Sequence, residues 1–145
     1  MRLTKAGEYA VRCVLYLARK GQGEVVSRKE VAEHGEIPAQ FLAKIAQQLA
    51  RAGIIEIRQG AGGGFRLLKP AEEISLLDVI EAIIGEIFLN DCVIRPESCR
   101  ASGGCAAHQV WLKARTQLRN TLREVNCAQL LDDQGCCFTG LAGSA

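Results

Sequence analysis

A mainly α-helical chain carrying one small β-hairpin is the fold class this sequence predicts, on three observations. Apolar residues recur at three- and four-residue intervals through most of the 145 residues. One stretch, Ile54 to Leu68, instead shows two β-prone runs around a glycine cluster. Helix start and stop residues stand at the ends of the periodic segments. With 48% hydrophobic content, the chain is long enough for one compact unit with a modest extension.

The first periodic segment runs from about Thr4 to Arg19, with Tyr9, Cys13, Val14 and Leu17 on one face, and Gly21-Gln-Gly23 ends it. Ser27 opens a second, short helix, and Glu30 three residues later completes a capping-box pattern. That helix stops near His34-Gly35. Ile37-Pro38 begins a third, because proline suits the first helical turn, and Phe41, Leu42, Ile45 and Leu49 form its apolar stripe. Gly53 stands where a C-terminal cap is needed.

Ile54 to Ile57 and Phe65 to Leu68 then read as short strands flanking Gly60-Ala-Gly-Gly-Gly64. A helix, a helix-turn-helix and a two-stranded hairpin make the winged-helix plan, with the third helix as major-groove reader and the hairpin as wing. The glycines permit positive φ and close approach of backbone to a groove. A nucleotide cradle would need a following Gly-Lys-Ser/Thr and a helix, whereas strand-like Phe65-Arg-Leu-Leu68 follows here.

Ser75 with Asp78 starts a fourth helix through about Ile84, capped by Gly85. A fifth, long helix spans about Ala107 to Val125, with Trp111, Ala114, Leu118, Leu122 and Val125 recurring along it. A winged-helix unit takes its core from its first three helices, so this appended stripe calls for a partner. A homodimer supplies one. It would set two reading helices about one DNA turn apart, roughly 34 Å, to match a palindromic operator. A short turn over Gln129 to Leu131 follows, and the Gly-bearing tail from Asp132 reads as poorly ordered. The implied organisation is a winged helix-turn-helix over 1–70, a ligand loop and dimerisation helices over 71–131, and a flexible tail over 132–145.

Charge is divided unevenly. Met1 to Pro70 carries 12 basic and 6 acidic residues, net +6, while Ala71 to Ala145 carries 6 against 10, net −4. A basic first half expects a polyanion, here double-stranded DNA. Gln40, Lys44, Gln47 and Gln48 are the polar residues on the solvent side of the reading helix. Glutamine pairs with an adenine edge, and lysine reaches guanine or phosphate. Arg28, Lys29, Arg58 and Arg66 are expected on phosphates, and Gln59 and Gly60 at the wing tip.

The densest chemistry is Cys92, Cys99, Cys105 and His108, spaced C-x6-C-x5-C-x2-H in one Gly-, Ser- and Arg-containing loop. Thiolate and imidazole together select zinc, iron–sulfur clusters or copper over magnesium and calcium. Structural zinc sites usually show paired C-x2–4-C knuckles, absent here, and the wider spacing suits an iron–sulfur cluster wrapped by its ligands. A zinc-stabilised regulator, a metal-free loop and an iron–sulfur redox or carrier protein without DNA binding remain the other readings. Cys13 is a small core residue, Cys127 packs beneath the last turn, and Cys136-Cys137 are incidental tail thiols. Seven cysteines with no apolar leader and no run of membrane-span length point to reduced thiols in the cytoplasm and no membrane partner. Only His34 and His108 are present and neither has an evident nucleophile beside it, so neither catalysis nor a small-molecule substrate is expected.

These residues resemble the Rrf-type winged-helix regulators, which include iron–sulfur sensors of the IscR, RirA and NsrR types. The likeness covers about Met1 to Leu131. It rests on Met1-Arg-Leu-Thr-x-x-Gly-x-Tyr-Ala-Val11, Leu49-x-x-Ala-Gly-Ile54, Gly60-x-Gly-Gly-Gly-Phe65, Ile74-Ser-Leu-x-Asp-Val-Ile80 and the three-cysteine loop. The resemblance implies a homodimeric transcription factor whose cluster state alters operator affinity, with Cys92, Cys99 and Cys105 as cluster ligands. His108 matches the fourth ligand of a 2Fe–2S cluster in IscR-type proteins. Glu8 matches the acidic residue that NsrR-type proteins place on a 4Fe–4S cluster across the dimer. The likeness favours His108 and a 2Fe–2S cluster. Two departures stand out. Many relatives carry arginine directly before the first wing glycine; here Gln59 holds that place and Arg58 lies one earlier, on the other strand face. Ala43 stands where IscR-like proteins carry an acidic residue, so no operator sequence transfers.

Overall fold

The computed structural model describes residues 3–132; the tail from 133 onward, including Cys136 and Cys137, lies outside the described residues. Six α-helices and one hairpin are present: α1 (Lys5–Lys20), α2 (Arg28–Gly35), α3 (Ala39–Arg51), β1 (Ile55–Arg58), β2 (Gly64–Leu67), α4 (Leu76–Ile84), α5 (Ala106–Glu124) and α6 (Cys127–Asp132). Single 3-10 turns occupy Ala71–Glu73, Asp91–Val93 and Pro96–Ser98. The mainly α class with a hairpin, and the winged-helix plan, are as the sequence predicts.

α1 is the hub, and α2, α3, α4, α6 and β2 all pack on it. Thr4 caps its start by accepting from the Gly7 N–H at 3.2 Å. Gly21 ends it at φ 116°, its N–H bonded to the Leu17 carbonyl. Ala10, Cys13, Val14 and Leu17 are buried and join Val31, Ile45, Leu49, Phe65 and Val79 in one core. Removing a side chain such as Leu49 or Phe65 from water contributes roughly 1.5–3 kcal/mol each.

Several local features refine the sequence expectations. Ser27 accepts from the Glu30 N–H at 3.2 Å, but the return bond of a capping box is not made. The Glu30 carboxylate is drawn away to Tyr16 Oη and Lys20 Nζ, both at 2.7 Å. Pro38 is the residue before α3, not within its first turn, and its carbonyl accepts from Leu42 at 3.0 Å. Phe41 belongs to no buried stripe: it is 40% exposed, edge-on to Tyr9. After α3, Gly53 at φ 75° closes a Schellman cap, with Ile54 N–H on the Leu49 carbonyl and Gly53 N–H on that of Ala50. Ile54 is thereby used in the cap, so each strand begins one residue away from where periodicity places it.

The hairpin pairs Ile55 with Leu67, Glu56 with Arg66, Ile57 with Phe65 and Arg58 with Gly64. Val26 adds a single antiparallel bridge to Phe65, both bonds at 2.8 Å. The β-branched pair Val25-Val26 before Ser27 is the signal that would have found it. This bridge ties the wing to the entry of α2.

α4 carries the full capping box, with Asp78 N–H to Ser75 Oγ at 3.1 Å and Ser75 N–H to Asp78 Oδ2 at 3.0 Å. The chain after α5 returns to this point: Leu76 N–H bonds Val125 O, and Cys127 N–H bonds Ile74 O, both at 2.9 Å. The short turn expected near Gln129 is therefore a six-residue helix, α6, packed on α1 with Cys127 in the main core. That core also holds Ile74 and Val79, so it crosses residue 70 without a break. The apolar stripe of α5 is likewise partly satisfied within the chain. Leu118 and Leu122 pack on Leu77, Ile80 and Ile87, leaving Val110 and Trp111 exposed at 57% and 37%.

Candidate metal centre and nucleic-acid interface

The loop joining α4 to α5 has a rigid stem and an exposed tip. At the stem, Arg119 grips Glu81 through Nε at 2.8 Å and Nη2 at 3.0 Å. The same carboxylate accepts from Ile87 N–H at 3.2 Å. Arg115 donates to the Ile87 carbonyl at 3.0 Å and pairs with Glu86. Partial burial disfavours the Glu81 anion, but the Arg119 hydrogen bonds, the Ile87 N–H and the charges of Arg119 and Arg115 outweigh it. Its carboxyl is held below the ordinary 4.5. Ile87 is buried beneath this network.

Beyond the stem the chain folds back through two 3-10 turns. Arg95 N–H reaches Asp91 O at 2.8 Å, and Ser102 Oγ reaches Pro96 O at 2.8 Å. Cys92 lies in the first turn and is buried; His108, in the first turn of α5, is buried against it. His108 Nδ1 stands 3.3 Å from Cys92 Sγ. Cys105 is the half-buried residue before α5, with no capping bond from its thiol, and Cys99 is exposed. Among the described residues no three His, Cys, Asp or Glu side chains converge closely enough to hold a metal ion. Two of the four expected loop ligands, Cys92 and His108, are together, and Cys99 and Cys105 are not with them. Glu8 lies on α1, where its carboxylate pairs with Lys5 at 2.8 Å. As a donor set the loop fits an iron–sulfur cluster: three thiols and an imidazole, with a buried pair at its base. Cys13 and Cys127 lie apart from this loop in the main core, where burial pushes each thiol up to about 12.

On the other side of the molecule, α3 presents Gln40, Lys44 and Gln47 to solvent. Gln48 does not join them: its amide turns inward and donates to the Ile83 carbonyl on α4 at 3.5 Å. Packing against α4 decides this: Gln48 shares a face with the exposed Lys44 at i−4 and the buried Ile45 at i−3, and the Ile83 carbonyl supplies its acceptor. Arg28 and Lys29 are exposed at the start of α2, with the Arg28 guanidinium 5.7 Å from the Phe65 ring centre. A groove of about 380 Å³ lies between α2, α3 and the wing, lined by Arg28, Lys29, Leu42 and Phe65 among others. Gln59 and Gly60 are exposed at the wing tip. Arg58 and Arg66 both lean on Glu56, a residue the sequence reading passed over.

Residues 3–133 match the family described as Rrf2, iron-dependent transcriptional regulator. The chain belongs to the Rrf2 family. IscR of Vibrio atlanticus, an HTH-type transcriptional regulator, is 28% identical over 133 residues, 92% of this chain and 76% of that protein. The oxidized form of Staphylococcus aureus CymR superposes with a TM-score of 0.70 at 30% identity, covering 91% of this chain and 97% of the other. T. potens IscR superposes at 0.72 with 22% identity, covering 92% and 88%, and so supports the fold. This Rrf2 protein is a DNA-binding transcriptional regulator. No helix among the described residues is long and apolar enough to cross a membrane.

Proposed function

We propose that this Rrf2 protein is a cytoplasmic homodimer whose affinity for a palindromic operator depends on an iron–sulfur cluster. Cys92, Cys99, Cys105 and His108 would hold it, as 2Fe–2S in the first instance; 4Fe–4S with Glu8 as fourth ligand is the variant. The observation that carries the reading is the buried Cys92–His108 pair at 3.3 Å, at the base of a loop bearing two further thiols. When bound, the cluster supplies a redox- and nitric-oxide-sensitive link between the loop and α5. The chain's own part is mechanical. Cys99 and Cys105 would have to join the pair to hold the cluster, and the Glu81–Arg119 stem ties the loop to α4. Gln48 joins α4 to the reading helix α3. The exposed Val110 and Trp111 face of α5 is the proposed dimer surface.

Against DNA, Gln40, Lys44 and Gln47 face the major groove, while Arg28, Lys29, Arg58 and Arg66 meet phosphates, with Gln59 and Gly60 at the wing contact. Lys44→Ala should weaken binding to the gene's own promoter. Arg28→Ala should lower the salt slope of log K by about 1. The deciding test is the visible spectrum of anaerobically purified protein, with iron and acid-labile sulfide assayed on the same sample. Charge-transfer colour with matching iron and sulfide supports the reading. A sample colourless even after reconstitution refutes it. A second reading has one observation in its favour: Cys99 is exposed, as a directly oxidisable thiol must be, and the CymR relative is known in an oxidized form. Peroxide-dependent DNA binding by the colourless, metal-free protein would select it.

A further inference from the structure

The wing carries an ionic arrangement that the DNA-contact residues alone do not explain. Glu56 and Arg66 are directly opposed across the two strands, and their side chains form an ion pair. Arg58, two residues along on the same face, brings its Nε to 3.5 Å from the same Glu56 oxygen. Strand alternation sends all three side chains to the face opposite Ile55, Leu67 and Phe65, which are buried. Glu56 is the only carboxylate between Ile55 and Leu67. The side chains of Glu56, Arg58 and Arg66 are 39%, 53% and 30% exposed, while the contacting Glu56 Oε2 and Arg66 Nε atoms are themselves buried. A DNA phosphate arriving at this face would meet two guanidiniums already sharing one anion.

Resting on the DNA-facing role proposed for the wing, we infer that Glu56 restrains sequence-independent DNA binding by competing internally with backbone phosphate. Its carboxylate halves the net positive charge of the arginine pair. It also lies against the Nε atoms of both arginines. Phosphate contacts dominate sequence-independent binding, whereas base-edge contacts discriminate among sequences. Restraining the wing arginines therefore lowers affinity for every duplex alike and leaves discrimination to the exposed side chains of α3.

The test is Glu56→Gln, which preserves shape and removes the charge, assayed against the gene's own promoter and an unrelated duplex over a salt series. Affinity for the unrelated duplex should rise about two- to fivefold at low salt, the range that releasing an exposed ion pair provides. The magnitude of the salt slope should grow by about 1, corresponding to one more neutralised phosphate. Affinity for the promoter should rise by the same factor, leaving the ratio of the two unchanged. In an Arg58→Gln/Arg66→Gln background the same change should have no effect, because nothing remains to release. Unchanged or weaker binding by a Glu56→Gln protein with wild-type circular dichroism and melting overturns the inference, while the DNA-binding reading of the wing stands. A wild-type protein without any salt-dependent binding overturns both.

Discussion

Replacing Glu81 with glutamine tests whether the stem network fixes the ligand loop to the body of the protein. The side chains of Glu81 and Arg119 are 20% and 23% exposed, between the surface pairs worth 0–1 kcal/mol and fully buried ones costing roughly 3–5 kcal/mol when broken. Glutamine keeps an acceptor for Ile87 N–H and one bond to Arg119, but loses the paired geometry and the charge. A loss of about 1–2 kcal/mol follows near pH 7. The pH dependence has a definite sign. A carboxyl whose folded value lies below its ordinary 4.5 contributes stability that is complete above 4.5 and is lost as pH falls toward the folded value. The wild type's advantage over Glu81→Gln should thus be full near neutrality and shrink below about pH 4.5. Urea unfolding at a fixed protein concentration, near pH 7 and again in mild acid, measures it. A difference below about 0.5 kcal/mol at neutrality, or one undiminished in acid, would refute the reasoning.

Gly64→Ala should cost more than about 2 kcal/mol, because the new methyl would run into the Val26 carbonyl that Phe65 N–H uses. Amide exchange at Phe65 no faster than in wild type would contradict this. If α5 forms the proposed dimer surface, Trp111→Asp should give monomers in sedimentation where the wild type gives dimers, as a charge on a buried symmetric face is repeated twice; an unaltered dimer would move the interface elsewhere. Cys99→Ala should abolish any difference in promoter affinity between cluster-loading and non-loading conditions. A variant that still responds like wild type would detach Cys99 from the sensing loop.

Much of the fold was legible because its signals are local. Helical periodicity, the Ser75–Asp78 box, Gly53 after α3 and the glycine cluster of the wing act within a few residues, and the structure realises each. Where local signals failed, a distant group intervened. The expected box on α2 is half made because Tyr16 and Lys20, on another helix, take the Glu30 carboxylate. Gln48 reads as solvent-facing along α3 until α4 supplies the Ile83 carbonyl. The Val26 bridge and the docking of α6 likewise depend on chain segments that meet only after folding.

The site divides along the same line. Residue type and spacing by themselves determined the donor chemistry, since three thiols and an imidazole in one loop restrict the metal whatever the fold. They also determined the basic, winged-helix half and its candidate contacts. Only tertiary structure decided that Cys92 and His108 are the buried pair while Cys99 stays in solvent, because that depends on how the 3-10 turns seat against α5. The coupling of Glu81 to Arg119 and of Glu56 to two wing arginines was decided there too. Ionic partners across helices or strands are chosen by packing and register, and sequence separation carries no record of either.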